Sequence, residues 1–220
     1  MRFGSHCVSM FVFALLACTD PAADKPRAEV GPASTEPASS AAVSEPAPQL
    51  VSDAGQTLAF SPDVSRIGFV GSKVTGSHNG SFKRFSGEIV LPAGAAIESG
   101  QVRVEIDMTS VETDTERLTS HLKTDDFFLV EQFPTATFAS TRLEPIASDS
   151  ATHTVTGDLT LRGVTKSVAF PATISRAGDN VSVKSEFAIN RKDFGIAYAG
   201  KPDDLIRDDV VIQLDLQANG

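Results

Sequence analysis

From Gln56 onward the chain alternates apolar and polar positions with a period of two, the mark of strands that are dry on one face and wet on the other. Ile67 and Phe69 share one face, with Gly68, Val70 and Ser72 opposite. Phe85, Gly87, Ile89 and Leu91 oppose Ser86, Glu88 and Val90, and Val102, Val104, Ile106 and Met108 oppose Arg103, Glu105 and Asp107. A run from Thr135 to Leu143 follows, with Ala136, Phe138 and Ser140 on one side. Further runs carry Val155, Gly157, Leu159 and Leu161, then Val168, Phe170, Ala172 and Ile174. Val181, Val183, Ser185, Phe187 and Ile189 come next, and Val210, Ile212, Leu214 and Leu216 close the series. Turn signals separate the runs: Gly76 with Asn79 and Gly80, Pro92-Ala93-Gly94, Arg162-Gly163, and Gly178-Asp179-Asn180.

About eight sequential strands with short turns predict an antiparallel sheet that packs as a sandwich or closes as a barrel. The charged faces (Arg103, Glu105, Asp107, Asp158, Lys184, Glu186, Asp215) are too polar to meet lipid, so the apolar faces point inward. This predicts a water-soluble barrel with a greasy interior rather than an outer-membrane pore. An eight-stranded barrel is just wide enough to be filled by side chains or to hold one small ligand. Periodicity alone leaves both open, although Gly87, Gly157, Ala136, Ala172 and Ser185 on the inward faces would leave space beside them.

One long segment breaks the alternation. Between Met108 and Thr135 lies a polar stretch with helical spacing, followed by the aromatic cluster Phe127, Phe128 and Phe133. It is expected to shape whatever the strands enclose.

The first third of the chain has a different texture. Residues 1–17 have a basic start at Arg2, an apolar core from Val8 to Leu16 and a small-residue end, the pattern of a signal peptide. Leu15-Leu16-Ala17-Cys18 resembles a bacterial lipoprotein box, in which the cysteine becomes the first mature residue and carries the lipid. Cleavage there would separate Cys7 from Cys18 and exclude a disulfide between them. Residues 18–54 are rich in Pro, Ala, Ser and Glu and lack apolar periodicity, which predicts a lipidated Cys18 on an extended, disordered spacer. The barrel domain is expected over residues 55–220.

Composition narrows the function. A formal net charge of −9 without clustered Lys and Arg argues against nucleic acid as a partner. Fourteen Phe against one Tyr and no Trp supply apolar area without polar handles, which suits a dry interior or a greasy pocket. His78, His121 and His153 have no metal-ligand spacing and read as solvated or structural. Ser120-His121-Leu122-Lys123 matches the Ser-x-x-Lys pattern of acylating hydrolases, but the accompanying motifs are missing. Arg191 and Asp193 read as a structural pair at the barrel rim or as contacts to a polar headgroup.

At this point the motifs form a recognisable set. Ser65-Arg66-Ile67-Gly68-Phe69, Gly76-Ser77-His78, Gly80-Ser81-Phe82, Phe85-Ser86-Gly87 and Ser110-Val111-Glu112-Thr113 lie in the first half of the barrel. His121-Leu122, Asp126-Phe127-Phe128, Phe133-Pro134, Thr137-Phe138 and Gly157-Asp158-Leu159-Thr160-Leu161 follow. Arg162-Gly163-Val164-Thr165-Lys166 and Asn190-Arg191-Lys192-Asp193-Phe194-Gly195 complete the set. Their order and spacing, from Leu58 to Ala218, resemble the YceI-like family of periplasmic lipid-binding proteins. The resemblance implies an all-β, eight-stranded, lipocalin-like antiparallel barrel with one helical insert lining or capping the lumen. It implies a long isoprenoid chain as the ligand, bound without catalysis and without a metal or other cofactor. The implied lipid contacts are Ile67, Phe69, Phe82, Phe85, Ile89, Val102, Val104, Ile106, Phe127, Phe128, Phe138, Leu159, Leu161, Phe187, Ile189 and Phe194. His78, His121, Arg191 and Asp193 are the candidates for a polar rim. The expected setting is the bacterial cell envelope, with the chain held at a membrane through Cys18, alone or as a homodimer. Two rival readings are an enzyme or redox accessory acting on the bound lipid and a surface interaction module with a filled core.

Overall fold

The computed structural model describes residues 20–34 and 55–220. The leader, Cys7, Cys18 and residues 35–54 of the predicted spacer lie outside the described residues.

The first five strands are β1 (Glu29–Pro32), β2 (Gln56–Phe60), β3 (Arg66–Lys73), β4 (Gly76–Phe82) and β5 (Phe85–Leu91). After β6 (Gln101–Asp107) and the short β7 (Val111–Thr113) comes the helix α1 (Glu116–Leu122). Four long strands then build most of the wall: β8 (Thr135–Pro145), β9 (His153–Leu161), β10 (Val164–Ala177) and β11 (Asn180–Asn190). A small hairpin, β12 (Gly200–Lys201) and β13 (Asp204–Leu205), precedes the last strand, β14 (Asp209–Ala218). Twelve strands thus join one curled antiparallel sheet, ordered β2-β5-β6-β8-β9-β10-β11-β14-β3-β4-β7 with β1 added on β10. The all-β barrel is as expected, but the count exceeds eight because β4 and β7 form across the corners from β5 and β6, and β1 and β2 add pairing from segments before β3.

The sheet curls until its ends meet. Ala59 of β2 exchanges both backbone hydrogen bonds with Asn219, at 2.9 and 3.0 Å. At the other corner, β4 runs into β5 across a bend at Lys83-Arg84, and β6 runs into β7 across Met108–Ser110. Arg84 clamps these two bends together, its Nε donating to Asp107 Oδ2 at 2.8 Å and its backbone N–H to Ser110 Oγ at 3.0 Å. The turn between β3 and β4 falls at Val74-Thr75, earlier than the glycines suggested, and Asn79 and Gly80 lie within β4.

The inward glycines leave less room than expected. A side-chain carbon on Gly80 would fall within the ring of Phe69, one on Gly87 within Phe60, and one on Gly157 against Phe138 and the Ala139 carbonyl. Each glycine is the floor on which a neighbouring strand's phenylalanine lies. The small residue admits the ring and does not make a void.

Residues 20–34 depart most from expectation, since the spacer composition predicted disorder and the structure shows a docked strap. β10 pairs with β11 only from Thr173 to Ala177. The two strands part near Pro171, which has no N–H to offer, and Ser185 Oγ donates to the Pro171 carbonyl at 2.6 Å. The strap enters the gap. Glu29–Pro32 pair antiparallel with Lys166–Ala169, while Ala28 and Pro26 bond the backbone of Ala188 on the other side at 2.9 Å. Two strand edges would otherwise expose unpaired backbone groups, and satisfying them overrides weak local propensity. Ala22 covers Val70, Ala188 and Val211, apolar residues on the outward face. Lys25–Glu186 and Arg27–Asp209 ion pairs fasten the strap further.

The Lys25–Glu186 pair, at 2.8 Å, makes strap docking pH-dependent. The hydrogen bond from Lys25, with a second from Gln213, holds the Glu186 carboxyl below its ordinary 4.5. That contribution to docking is fully present above about 4.5 and is lost as pH falls through the depressed value. The hydrogen bond to Glu186 likewise raises Lys25 above 10.5, so its contribution holds below that value and is lost as pH climbs through the raised one. A Cys18→Ser chain lacking residues 1–17 and carrying Ala22→Cys reports on this. Its buried thiol is expected to be slow toward dithiodipyridine at neutral pH and faster in acid, with Glu186→Gln removing most of the acid step. A flat acid profile would show that the pair does not hold the strap.

Candidate functional site

The inward faces enclose a lumen of about 240 Å³. Its wall runs from Phe60, Leu143, Val155, Ile174 and Leu216 at one end to Leu122, Phe127, Phe128, Ile196 and Ile206 at the other. The α1 segment caps the second end, here called the lid end. The volume exceeds the ~150 Å³ of an apolar void that takes benzene and approaches the ~300 Å³ lower bound of drug-sized pockets.

Partial burial distinguishes this lumen from a filled core. Val102, Val104, Ile106, Phe138, Leu159, Leu161, Val183, Ile212 and Leu214 line it, yet none is fully buried. Apolar side chains on the inside of a closed wall keep that exposure because they face empty space. Fully buried residues outside the lining, such as Leu58, Leu91 and Val181, belong to the same apolar core. Phe170 and Phe187 stack along the wall with centroids 4.2 Å apart.

The lid is a pile of aromatics. Phe128 meets Phe69 edge-on at 6.4 Å and Phe82 at 6.1 Å. Phe127 packs between His121 at 5.0 Å and Tyr198 at 5.5 Å. Only Glu116–Leu122 is helical; backbone hydrogen bonds from Phe127, Phe128, Leu129 and Val130 to residues 122–124 coil the rest into turns. Arg162 latches this segment to the barrel. It sits at φ 52°, in the left-handed region that its hairpin partner Gly163 adopts easily. From there its guanidinium reaches the carbonyls of Asp125, before the aromatic pair, and Gly195, after β11.

Most of the residues expected from sequence meet in this lumen: Ile67, Phe69, Phe82, Ile89, Val102, Val104, Ile106, Phe127, Phe128, Phe138, Leu159, Leu161, Phe187 and Ile189 all line it. Phe85 and Phe194 do not. Both are buried in the packed layer behind, Phe194 completely. Phe85 follows the Arg84 corner at the very start of β5, where it still pairs with Ile106 but packs into the core, and Phe194 lies on a short 3-10 turn outside the strand alternation.

The expected polar rim does not assemble into one group. His78 Nδ1 meets Asp114 and His121 Nε2 meets Asp126, each at 2.8 Å. Arg191 is buried, and its carboxylate partner is Asp208 rather than Asp193, which is exposed. Nη1 of Arg191 donates to the Ile196 carbonyl at 2.7 Å and Nε to the Arg207 carbonyl at 3.1 Å. Burial pushes this guanidinium below its ordinary range, and Asp208 opposes the shift. No cluster of three metal-ligating side chains occurs among the described residues. Ser120 is exposed and away from the lumen wall.

Sequence reasoning missed a polar feature at the lid end. Ser72 and Arg207 border the lumen, joined by a 2.9 Å hydrogen bond from the Arg207 N–H to the Ser72 carbonyl. Ser72 Oγ and Arg207 Nε are buried without a hydrogen-bond partner. Strict alternation turned Ser72 outward with Val70. It is buried because the segment before β14 folds back along β3, with Ile206 bridging Lys73.

A profile of the YceI-like domain matches residues 58–218. A UPF0312 protein of Pseudomonas putida is 30% identical over 175 residues, 73% of this chain and 88% of its own length. Protein YceI of Escherichia coli is 35% identical over 123 residues, 53% of this chain and 62% of its own. Among solved structures, the Campylobacter jejuni YCEI protein aligns with a TM-score of 0.56 at 28% identity, covering 64% of this chain and 84% of its own. A polyisoprenoid binding domain from Saccharophagus degradans shares the fold, with a TM-score of 0.59 at 18% identity over 74% of this chain and 98% of its own. With matching motifs, barrel and lumen, this chain belongs to the YceI-like family.

Proposed function

We propose that the barrel binds and carries an isoprenoid-type lipid in the cell envelope, without catalysis, while Cys18 holds it at a membrane. The ring of partly exposed apolar side chains around the lumen carries this reading. Each CH₂ moved from water into such a space gains about 0.8 kcal/mol, so a prenyl chain needs few polar contacts to bind tightly. The naming of the Saccharophagus degradans neighbour as a polyisoprenoid binding domain supports the ligand class. In this reading the tail follows the apolar wall away from the lid. The polar end stays near Ser72 Oγ and Arg207 Nε, two buried donors that an oxygen on the ligand would satisfy. The polar groups a lipid-modifying enzyme would use, at His78, His121 and Arg191, are engaged in structural contacts. A long chain needs more than 240 Å³, so binding is expected to widen the lumen and displace the lid aromatics. Organic extraction of protein purified from envelopes, followed by mass spectrometry, is expected to yield a prenyl lipid, and delipidated protein is expected to rebind polyprenol. Recovery of no such lipid, together with no binding of added polyprenol, would sink the proposal.

A further inference from the structure

The docked strap bears on how the barrel stands at a membrane. The described chain begins at Asp20, two residues after Cys18. Asp20 Oδ2 accepts a hydrogen bond from Arg207 Nη1 at 3.2 Å, and Oδ1 accepts one from the Ala22 N–H at 3.0 Å. Ala22 is buried on the outer wall of β3, β11 and β14. Two residues of extended chain span at most about 7 Å. Acyl chains on Cys18 would therefore leave the protein beside Arg207 and Ser72, at the lid end, and not at the far end of a long tether.

The same end exposes two apolar side chains. Val74 and Leu205 are 55% and 49% exposed, and they are neighbours, the Val74 N–H donating to the Leu205 carbonyl at 3.1 Å. Around them, Lys73 is paired with Asp204, Arg207 with Asp20 and Lys192 with Asp208. The lumen reaches this place, bordered by Ser72, Ile206 and Arg207. Among the described residues, the other two large exposed apolar side chains, Val64 and Ile146, lie at the opposite end, in turns next to β3 and β8.

We infer that the lid end faces the bilayer, with Val74 and Leu205 against the lipid surface, so that a prenyl lipid passes between membrane and lumen without crossing water. The inference rests on the reading of Cys18 as the lipidated residue. It fixes an orientation: the tail enters first and the polar end remains at the membrane side, by Ser72 and Arg207.

The absence of Trp from the sequence allows a direct test. Single reporters Val74→Trp, Leu205→Trp, Val64→Trp and Ile146→Trp are placed in mature chains beginning at Cys18. Each is coupled through the Cys18 thiol to maleimide-bearing lipid in phosphatidylcholine vesicles with brominated acyl chains. Quenching is expected to be at least twofold stronger for the Val74 and Leu205 reporters than for the other two. Equal quenching at both ends, or stronger quenching at Val64 and Ile146, would overturn the orientation. The mass of Cys18 in protein recovered from envelopes is a separate readout. An unmodified thiol there would overturn the anchor reading, while the coupled vesicles still report which end the strap presents.

Discussion

A chain carrying Val104→Trp and Leu159→Trp is expected to lose prenyl-lipid binding without losing stability. Val104, Phe138 and Leu159 lie in one row across β6, β8 and β9, and all three are partly exposed into the lumen. Two indoles beside Phe138 would block the channel at mid-height. Excluding one five-carbon isoprene unit forfeits about 4 kcal/mol at ~0.8 kcal/mol per carbon, close to a thousandfold in affinity. The indoles would occupy space that is empty, so the melting temperature should hold or rise. A filled core behaves in the opposite way: overpacking costs about 1–3 kcal/mol per site, or several degrees in a domain of this size. Polyprenol titration and calorimetry on the same variant therefore separate the two. A melting point lowered by several degrees with unchanged affinity would mean that these residues are core and the ligand lies elsewhere.

The parts legible in the sequence are those governed by local alternation. Val102, Val104, Ile106, Leu159 and Leu161 reach the lumen because each sits in a strand whose other face is polar, and period two then fixes its direction. What stayed hidden depends on pairing between distant segments. Gly87 and Gly157 resemble openings until the register sets Phe60 and Phe138 over them. The strap has the composition of a spacer, and only the unpaired edges where β10 leaves β11 give it a place to dock. A signal for it was present all the same. Val70, Ala188 and Val211 are apolar on faces that otherwise meet water, and a dry patch on a wet face implies something that covers it. Ser72 and Arg207 were missed for a similar reason: their burial comes from a loop folding back, which no alternation records.

Arg191→Met is expected to be the most damaging single change for stability at the lid end, because Arg191 works as a clamp and not as a headgroup contact. Its side chain is 5% exposed and ties the 3-10 turn to two places: the Ile196 carbonyl just after it, and the Arg207 carbonyl with the Asp208 carboxylate before β14. Met fills much of the same volume but donates nothing. The two carbonyls lose their donor from Arg191, and Asp208 keeps only Lys192, at 2.8 Å. Asp208 is itself 40% exposed, so the cost lies mainly in the two carbonyls left without this donor, about 1–3 kcal/mol each where they stay unsatisfied. At ~2–4 °C per kcal/mol, the melting temperature should fall by about 4–24 °C. Asp208→Asn should cost less, since the Arg191 bonds to the Ile196 and Arg207 carbonyls survive it. A headgroup role predicts the reverse order of effects for Arg191→Met, with affinity for a polar-ended prenyl lipid falling at least tenfold while thermal unfolding stays where it was. Because the clamp also positions Arg207, some loss of affinity is expected in either case, so the melting temperature of the lipid-free variant decides. An unchanged value would transfer Arg191 from the scaffold to the binding site.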